Sequence, residues 1–405
     1  MTPRWWAAIC WCAAAMLRCN GVQAGVWGVD PELGIAGDYA TNPALLDMAH
    51  TAGANGALLF DAPTSYNGNA VELVVLPSFR LSNAAGYSSL ASDYEHLSVK
   101  GELDTERGML SATAGMAQDS SLYQDYLYDG NTGVRRDTVT GDLNWDRSLT
   151  ERIDFNTDAN WTKVHYGQAL GVATLTDYKY LSISPTLSWL SSERDKLTFA
   201  ANVARYNSLD GTTTSRSANL QLGFTRQLSE IWTLNAVAGY SRALNSLQGN
   251  EDVLVLTPNG LEIVAIPFKV ESSQNGTVYS LSLTRKGALL ILGATASRQL
   301  TPTGYAYLSL QDSFELTANY TLSERWSFSG DARYIKSQDP QLQGGILQRT
   351  PKILTIGASW RWTEHWTASL MASRIMEEFQ PPGLDLASSE VMITLSRRFD
   401  HVKLQ

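Results

Sequence analysis

Residues 181–203 read Leu181-Ser182-Ile183-Ser184-Pro185-Thr186-Leu187-Ser188-Trp189-Leu190-Ser191-Ser192-Glu193-Arg194-Asp195-Lys196-Leu197-Thr198-Phe199-Ala200-Ala201-Asn202-Val203. Before the Ser192-Glu193 pair, Leu181, Ile183, Pro185, Leu187 and Trp189 alternate with Ser182, Ser184, Thr186 and Ser188. After it, Leu197, Phe199, Ala201 and Val203 alternate with Thr198, Ala200 and Asn202. A period of two places one set on each face of a strand. The short polar residues between the runs suit a tight turn. The stretch therefore reads as a hairpin with one oily face and one wet face.

The same unit recurs along the chain. Ser/Thr-Glu pairs stand at Thr105-Glu106, Thr150-Glu151, Ser192-Glu193, Ser229-Glu230, Ser323-Glu324 and Thr363-Glu364, with glutamates 45, 42, 37, 94 and 40 residues apart. The gap of 94 is about two periods, and Arg285-Lys286-Gly287 supplies a seventh turn inside it. Seven turns join fourteen strands. One more strand near 71–81 and one near 388–399 bring the total to about sixteen, within a range of 14–18. Runs of about ten residues match the length a tilted strand needs to cross a bilayer. A soluble sandwich would use shorter strands and large side chains on its buried face, whereas alanine is frequent on the apolar face here. The expected fold is all-β: a transmembrane antiparallel up-and-down β-barrel spanning 71–399. Short turns alternate with longer connections, as in outer-membrane barrels. The longest, 242–276, contains its own hairpin around Pro258-Asn259-Gly260, either rising above the membrane or folding inward.

The N-terminus reads as a signal for export. Arg4 precedes an apolar run from Trp5 to Leu17, and Val22-Gln23-Ala24 fits a cleavage site before Gly25. Residues 1–24 hold Cys10, Cys12 and Cys19, the only cysteines, so the mature chain is expected to lack disulfides and thiolate ligands. Residues 25–70 are rich in Gly, Ala, Asn, Asp and Pro with little periodicity, and are expected to be a periplasmic or lumen-plugging segment. Residues 400–405 are expected to be a tail. No basic stripe points to nucleic acid.

Aromatic residues gather at strand ends. Trp145, Trp189, Trp232, Trp326, Trp360, Trp362 and Trp366 lie near the short turns, while Tyr94, Tyr178, Tyr180, Tyr206, Tyr240, Tyr279 and Tyr334 lie near the other ends. Two such groups imply two membrane interfaces. The opposite parity gives the candidate lumen-lining set: Lys100, Glu102, Asp142, Asp146, Asp154, Asp158, Asn219, Gln221, Asn235, Glu315, Asn319, Asp331, Arg333 and Arg361. Charges on a pore wall tune selectivity; the alternative is a filled lumen. Asp142, Asp146, Asp154 and Asp158 fall on two neighbouring strands, where solvated carboxylates compete with a calcium site. The loop around 119–137 sets Tyr123, Tyr126 and Tyr128 among Asp119, Asp125 and Asp129. Aromatics beside carboxylates can hold sugars, but a solvated loop is the favoured reading of this stretch. The five histidines sit in no hydrolase motif. The expectation is no enzyme and no cofactor.

Pro31-Glu32-Leu33-Gly34-Ile35 with Tyr39-Ala40-Thr41-Asn42-Pro43, the turn Leu322 to Phe328, and Tyr178-Lys179-Tyr180-Leu181-Ser182-Ile183-Ser184-Pro185 resemble outer-membrane β-barrel porins. That group includes barrels encoded beside exopolysaccharide and exosortase-type systems. The resemblance implies a Gram-negative outer-membrane location. The implied partners are outer-membrane lipid, the barrel assembly machinery, and polysaccharide or periplasmic envelope proteins. The last strand, Met392 to Phe399, resembles the signal such barrels present for assembly. The expected function is a porin-like channel for small polar solutes or saccharides, with a tie to surface polysaccharide export implied by the resemblance. The competing reading is a non-conducting docking barrel, with a membrane-embedded hydrolase a distant third.

Overall fold

The computed structural model describes residues 25–42, 52–83, 94–120, 135–167, 175–257, 260–303, 308–338, 348–380 and 385–404. They form twenty-one ladder segments and no helix. Three pairs of segments are single strands broken by a kink, so the count is eighteen strands. β1 is Val26–Val29 and Glu32–Ala40; β2 is Gly53–Asp61 and Thr64–Asn67. β3 to β17 are Val71–Asn83, Tyr94–Thr105, Gly108–Ser120, Arg135–Thr150, Ile153–Tyr166, Tyr178–Leu190, Asp195–Ser208, Thr213–Gln227, Trp232–Thr257, Gly260–Lys286, Leu290–Pro302, Leu308–Thr321, Trp326–Gln338, Gln348–Arg361 and Trp366–Gln380. β18 is Asp385–Arg398 and Val402–Leu404. Each strand pairs antiparallel with its neighbours in sequence. β1 closes the ring on β18 through Glu32↔Arg398 to Ala40↔Glu390 and Trp27↔Leu404 to Val29↔Val402.

Two expectations are corrected. Residues 25–70 are neither plug nor periplasmic appendage: they supply β1 and β2, which raises the count from about sixteen to eighteen. Their alternation is faint because small residues occupy both faces. Gly37 faces Gly56, and Ala36 faces Ala57. Residues 402–404 are likewise not a free tail but pair with 27–29. The breaks in the three seam strands line up. Asp30 N donates to Pro63 O at 3.0 Å, and Phe399 N donates to Pro31 O at 2.9 Å. Proline cannot donate to a ladder, so the chain kinks where Pro31 and Pro63 fall. Residues 1–24 lie outside the described residues.

The repeated turns have one chemistry. The hydroxyl of Ser229 accepts from Ile231 N and Trp232 N at 3.4 and 3.2 Å. Ser323 does the same for Arg325 and Trp326 at 3.3 and 3.2 Å, and Thr363 for His365 and Trp366 at 3.2 and 3.1 Å. Short hydroxyls satisfy turn amides in this way. In these three turns the last capped amide belongs to a tryptophan, so the turn itself fixes that residue at the rim.

The outer face is apolar. Leu220, Leu222, Ile356 and Ile393 are 58–68% exposed, which suits a surface solvated by lipid and not by water. The seven tryptophans share this face near the short turns. Trp326 stacks on Trp360 at 5.7 Å, and Trp360 on Trp362 at 6.0 Å. On β9 the outward apolar residues run from Leu197 to Val203, and Arg205 follows. The eight steps from Leu197 to Arg205, at about 3.3 Å rise and about 40° tilt, give a belt roughly 20 Å tall. β11 and β12, at 26 and 27 residues, outrun their neighbours. β10 leaves β11 at Leu247, β13 leaves β12 at Arg298, and the two long strands continue as a free ribbon to Thr257↔Gly260.

Candidate functional site

The ladders put every one of the fourteen candidate lumen residues on the face opposite the belt. Lys100 and Glu102 belong to β4, Asp142 and Asp146 to β6, and Asp154 and Asp158 to β7. Asn219 and Gln221 come from β10, Asn235 from β11, Glu315 and Asn319 from β14, Asp331 and Arg333 from β15, and Arg361 from β16.

The four aspartates form a checkerboard with amides and hydroxyls. Asp142 faces and contacts Asn160, Asn144 donates to Asp158 at 2.5 Å, Asp146 faces Asn156, and Ser148 donates to Asp154 at 2.9 Å. No two of these four aspartates are direct cross-strand partners. On the flanking strands the same rows hold Thr113, Ser111 and Met109 on one side and Ser182, Ser184, Thr186 and Ser188 on the other. Elsewhere most lumenal cations are neutralised, Lys196 and Arg361 being exceptions. Arg80 pairs with Asp38 at 2.9 Å, Arg136 with Asp119 at 2.9 Å, Lys100 with Glu102 at 2.5 Å, and Arg333 with Glu315 at 3.3 Å. One wall thus keeps four carboxylates without an ion-pair partner among the described residues. Among those residues no group of three or more His, Cys, Asp or Glu side chains is placed to hold a metal ion.

The mouth holds what the sequence did not reveal. Leu300, Leu308 and Leu310 share parity with the outward Phe314 and Leu316, yet Leu308 is fully buried. It packs with Val164, Tyr166, Tyr178 and Tyr206, all on the lumenal face of β7–β9. Tyr206 OH donates to Thr303 O at 3.2 Å. Strands about 4.8 Å apart and tilted by about 40° place β9 and β14 roughly 27 Å apart across an eighteen-strand ring. Two facing side chains cannot span that distance, so the end of the β13–β14 hairpin leans into the lumen. A second contact agrees: a Cβ on Gly276, on the lumenal face of β12, would meet Leu310 Cδ2 at 3.3 Å. The hairpin is free to bend because its ladder to β12 ends at Tyr279↔Arg298.

The bent hairpin accounts for a buried polar wall. Thr213, Ser215, Ser241 and Asn245 line the lumenal face of β10 and β11, are at most 9% exposed, and have side-chain atoms without a hydrogen-bond partner. Such atoms cost about 1–3 kcal/mol each when cut off from water. Ser241 lies opposite Gly276, the residue that Leu310 approaches.

This arrangement corrects the reading of the tyrosines. Tyr240, Tyr279 and Tyr334 stand on the outer face at 38–58% exposure, but Tyr178, Tyr180 and Tyr206 point into the lumen, where Tyr178 and Tyr206 are buried. Parity would have shown it: Tyr178 and Tyr180 are in phase with Ser182 and not with Leu181. The side chain of Tyr94, residues Tyr123, Tyr126 and Tyr128, and His50 lie outside the described residues. Of the other histidines, His165 contacts Asp177, His401 bonds Asp30 at 3.0 Å, and His365 lies 3.7 Å from Asp400. At the β9–β10 turn Asp210 sits below the ordinary carboxylate range. Burial opposes this, but hydrogen bonds from Ser208 and from the Thr212 amide and hydroxyl outweigh it.

No family model matches the chain. No curated protein matches it either. Among solved structures, the ferric yersiniabactin uptake receptor FyuA from Yersinia pestis is 13% identical, with TM-score 0.42 over 86% of this chain and 61% of the receptor. This chain therefore spans under two thirds of that receptor. Pseudomonas aeruginosa OpdK, solved with vanillate, is 10% identical, with TM-score 0.45 over 92% of this chain and 99% of OpdK. Pseudomonas aeruginosa OccK2 (OpdF) is 10% identical, with TM-score 0.47 over 93% and 99%.

Proposed function

We propose that this barrel is an outer-membrane channel that passes small polar solutes, saccharides among them, with a preference for cations. The observation that carries the reading is the wall of Asp142, Asp146, Asp154 and Asp158, charged without ion-pair partners, in a lumen whose described cations mostly bridge acids. Unneutralised charge on a pore wall favours the opposite ion. The outer-membrane assignment is supported by an apolar belt with a tryptophan rim on a closed barrel. A tie to surface polysaccharide has its support in the sequence resemblance alone.

The test is reversal potential in planar bilayers under a salt gradient. Wild-type protein should pass cations over anions. The quadruple Asp→Asn variant at 142, 146, 154 and 158 should move the permeability ratio toward unity. Folded protein that gives no current steps, or a ratio unmoved by the four substitutions, defeats the proposal. One observation favours a second reading, a barrel kept shut: the mouth is narrowed by the β13–β14 hairpin clamped on Tyr206. Silence in the same assay would support it.

A further inference from the structure

The outer face of β7–β11 carries five cations where the apolar belt ends, at the rim of the longer connections. Lys163 lies directly opposite Lys179 across β7 and β8. Arg205 lies directly opposite Arg216 across β9 and β10, and Arg242 follows on β11 opposite Ala218. Lys179, Arg205, Arg216 and Arg242 are exposed. Each is the next outward residue beyond an apolar or small one: Trp161, Leu181, Val203, Ala218 and Tyr240 in turn.

Like charges placed directly opposite on a sheet repel, and two such pairs stand side by side here. Among the described residues none of the five cations forms an ion pair with a carboxylate; Arg205 bonds only the amide oxygen of Asn207, at 3.1 Å. The nearest outward acids, Asp137 and Asp177, are engaged by Arg135 and His165. Some outward cations at this rim have acids of their own: Arg298 has Asp312 at 3.5 Å, and Lys352 has Glu378. Lys336 on β15 faces Asp312, and Arg374 stands singly on β17, whereas the five cations here lie on five adjacent strands and include both directly opposed pairs. At about 4.8 Å per strand they span roughly 19 Å. At this height aliphatic stems lie along the belt and charged heads reach the polar layer. What satisfies paired guanidinium and ammonium groups there is an anion with several acceptor oxygens, and phosphate matches both.

We propose that this patch binds the phosphate-bearing headgroups of the membrane's own lipids, in the leaflet at the rim of the longer connections. The anion cancels repulsion that the protein leaves uncancelled, and so fixes the barrel's depth and which lipids surround β7–β11.

The experiment uses the folded full barrel in neutral detergent. Mixed micelles of lipopolysaccharide, phosphatidylglycerol or phosphatidylcholine are added, and inorganic phosphate separately. Binding and unfolding are followed, with heat-modifiable gel mobility as the check on folding. Wild-type protein should bind the two anionic lipids at least tenfold more tightly than phosphatidylcholine, and less so as salt rises. The double variant Arg205→Gln/Arg216→Gln should lose that preference. In neutral detergent the double variant should be at least as stable as wild type, because it removes a repelling pair worth up to about fivefold in the folding equilibrium. In anionic lipid the order should reverse. Lys179→Arg keeps the charge and should retain binding. Equal binding by wild type and double variant overturns the proposal, as does equal affinity for phosphatidylcholine. Saturation by inorganic phosphate alone would assign the patch to a free anion and overturn the lipid assignment.

Discussion

Replacing Leu222 by Arg, with Gln221→Arg as its partner, tests the two-faced wall at neighbouring residues. Leu222 is 68% exposed, on the outer face of β10. It lies six residues from Arg216 and four from Arg226, the outward charged residues between which the belt runs on β10. At about 3.3 Å rise and about 40° tilt those are roughly 15 and 10 Å, so Leu222 sits near the belt's middle. A lipid-facing arginine at the midplane of a barrel costs about 2–4 kcal/mol. Gln221 faces the lumen with Asn202 and Asn219 for neighbours, and an arginine there keeps its head in water at a cost of at most about 0.5 kcal/mol. The two substitutions should therefore differ by roughly 10- to 900-fold in the folding equilibrium. Denaturant unfolding of protein refolded in phospholipid vesicles, followed by tryptophan fluorescence, measures the difference. Equal costs, or a larger cost at Gln221, would refute the two-faced wall and with it the barrel's membrane orientation.

Leu308→Ser removes a fully buried side chain from the tyrosine wall, worth about 2 kcal/mol of packing. It should raise the fraction of time the pore spends in its largest conducting level in bilayer recordings; unchanged current levels and dwell times count against a clamped hairpin. Gly211 has φ of 77° with open space around its Cα. Gly211→Ala should therefore cost about 1–2 kcal/mol through backbone strain alone, read as a lowered midpoint in the same vesicle titration; a neutral result would show that the β9–β10 turn relaxes. The Asp210 carboxyl is held below its ordinary range, so its stabilisation of the turn is complete above that range. It fades as pH falls through the depressed value. Hydrogen exchange at Thr212 and Thr213 should be slower in wild type than in Asp210→Asn near neutrality, and the gap should close on acidification; a gap independent of pH contradicts the assignment.

How much of this was legible follows from what each feature needs. Alternation and turn chemistry are local, so β3 to β18 could be read from residues such as Leu181–Trp189 and from the Ser/Thr-Glu turns. Parity then fixed the face of all fourteen lumen candidates without any knowledge of curvature. β1 and β2 escaped because Gly37, Gly56, Ala36 and Ala57 remove the contrast on which alternation depends. The contact between Tyr206 and Leu308 joins β9 to β14, which are distant in sequence and not neighbours in the sheet. No period in the chain encodes it. The sole local clue was the phase of Tyr178 and Tyr180 with serine, a hint that rings grouped at an interface could point inward.

The places where the ladder breaks its own pattern are the ones to which function attaches. A barrel optimised only to stand in lipid would pair its lumenal acids, keep outward leucines in lipid, and avoid opposing cations. This one leaves Asp142, Asp146, Asp154 and Asp158 without cations, buries unpartnered atoms of Ser215 and Asn245 at a mouth where Leu308 folds inward onto Tyr206, and sets Arg205 against Arg216. Each departure lowers the stability of the isolated fold, and each is relieved by something outside it. Mobile cations relieve the first, water admitted to an open mouth the second, and anionic headgroups the third. The three lie on overlapping strands, β6 to β14, while at the seam Asp38 of β1 is paired with Arg80 of β3 at 2.9 Å. The three proposed roles therefore converge on one side of the ring, with the opposite side closing it.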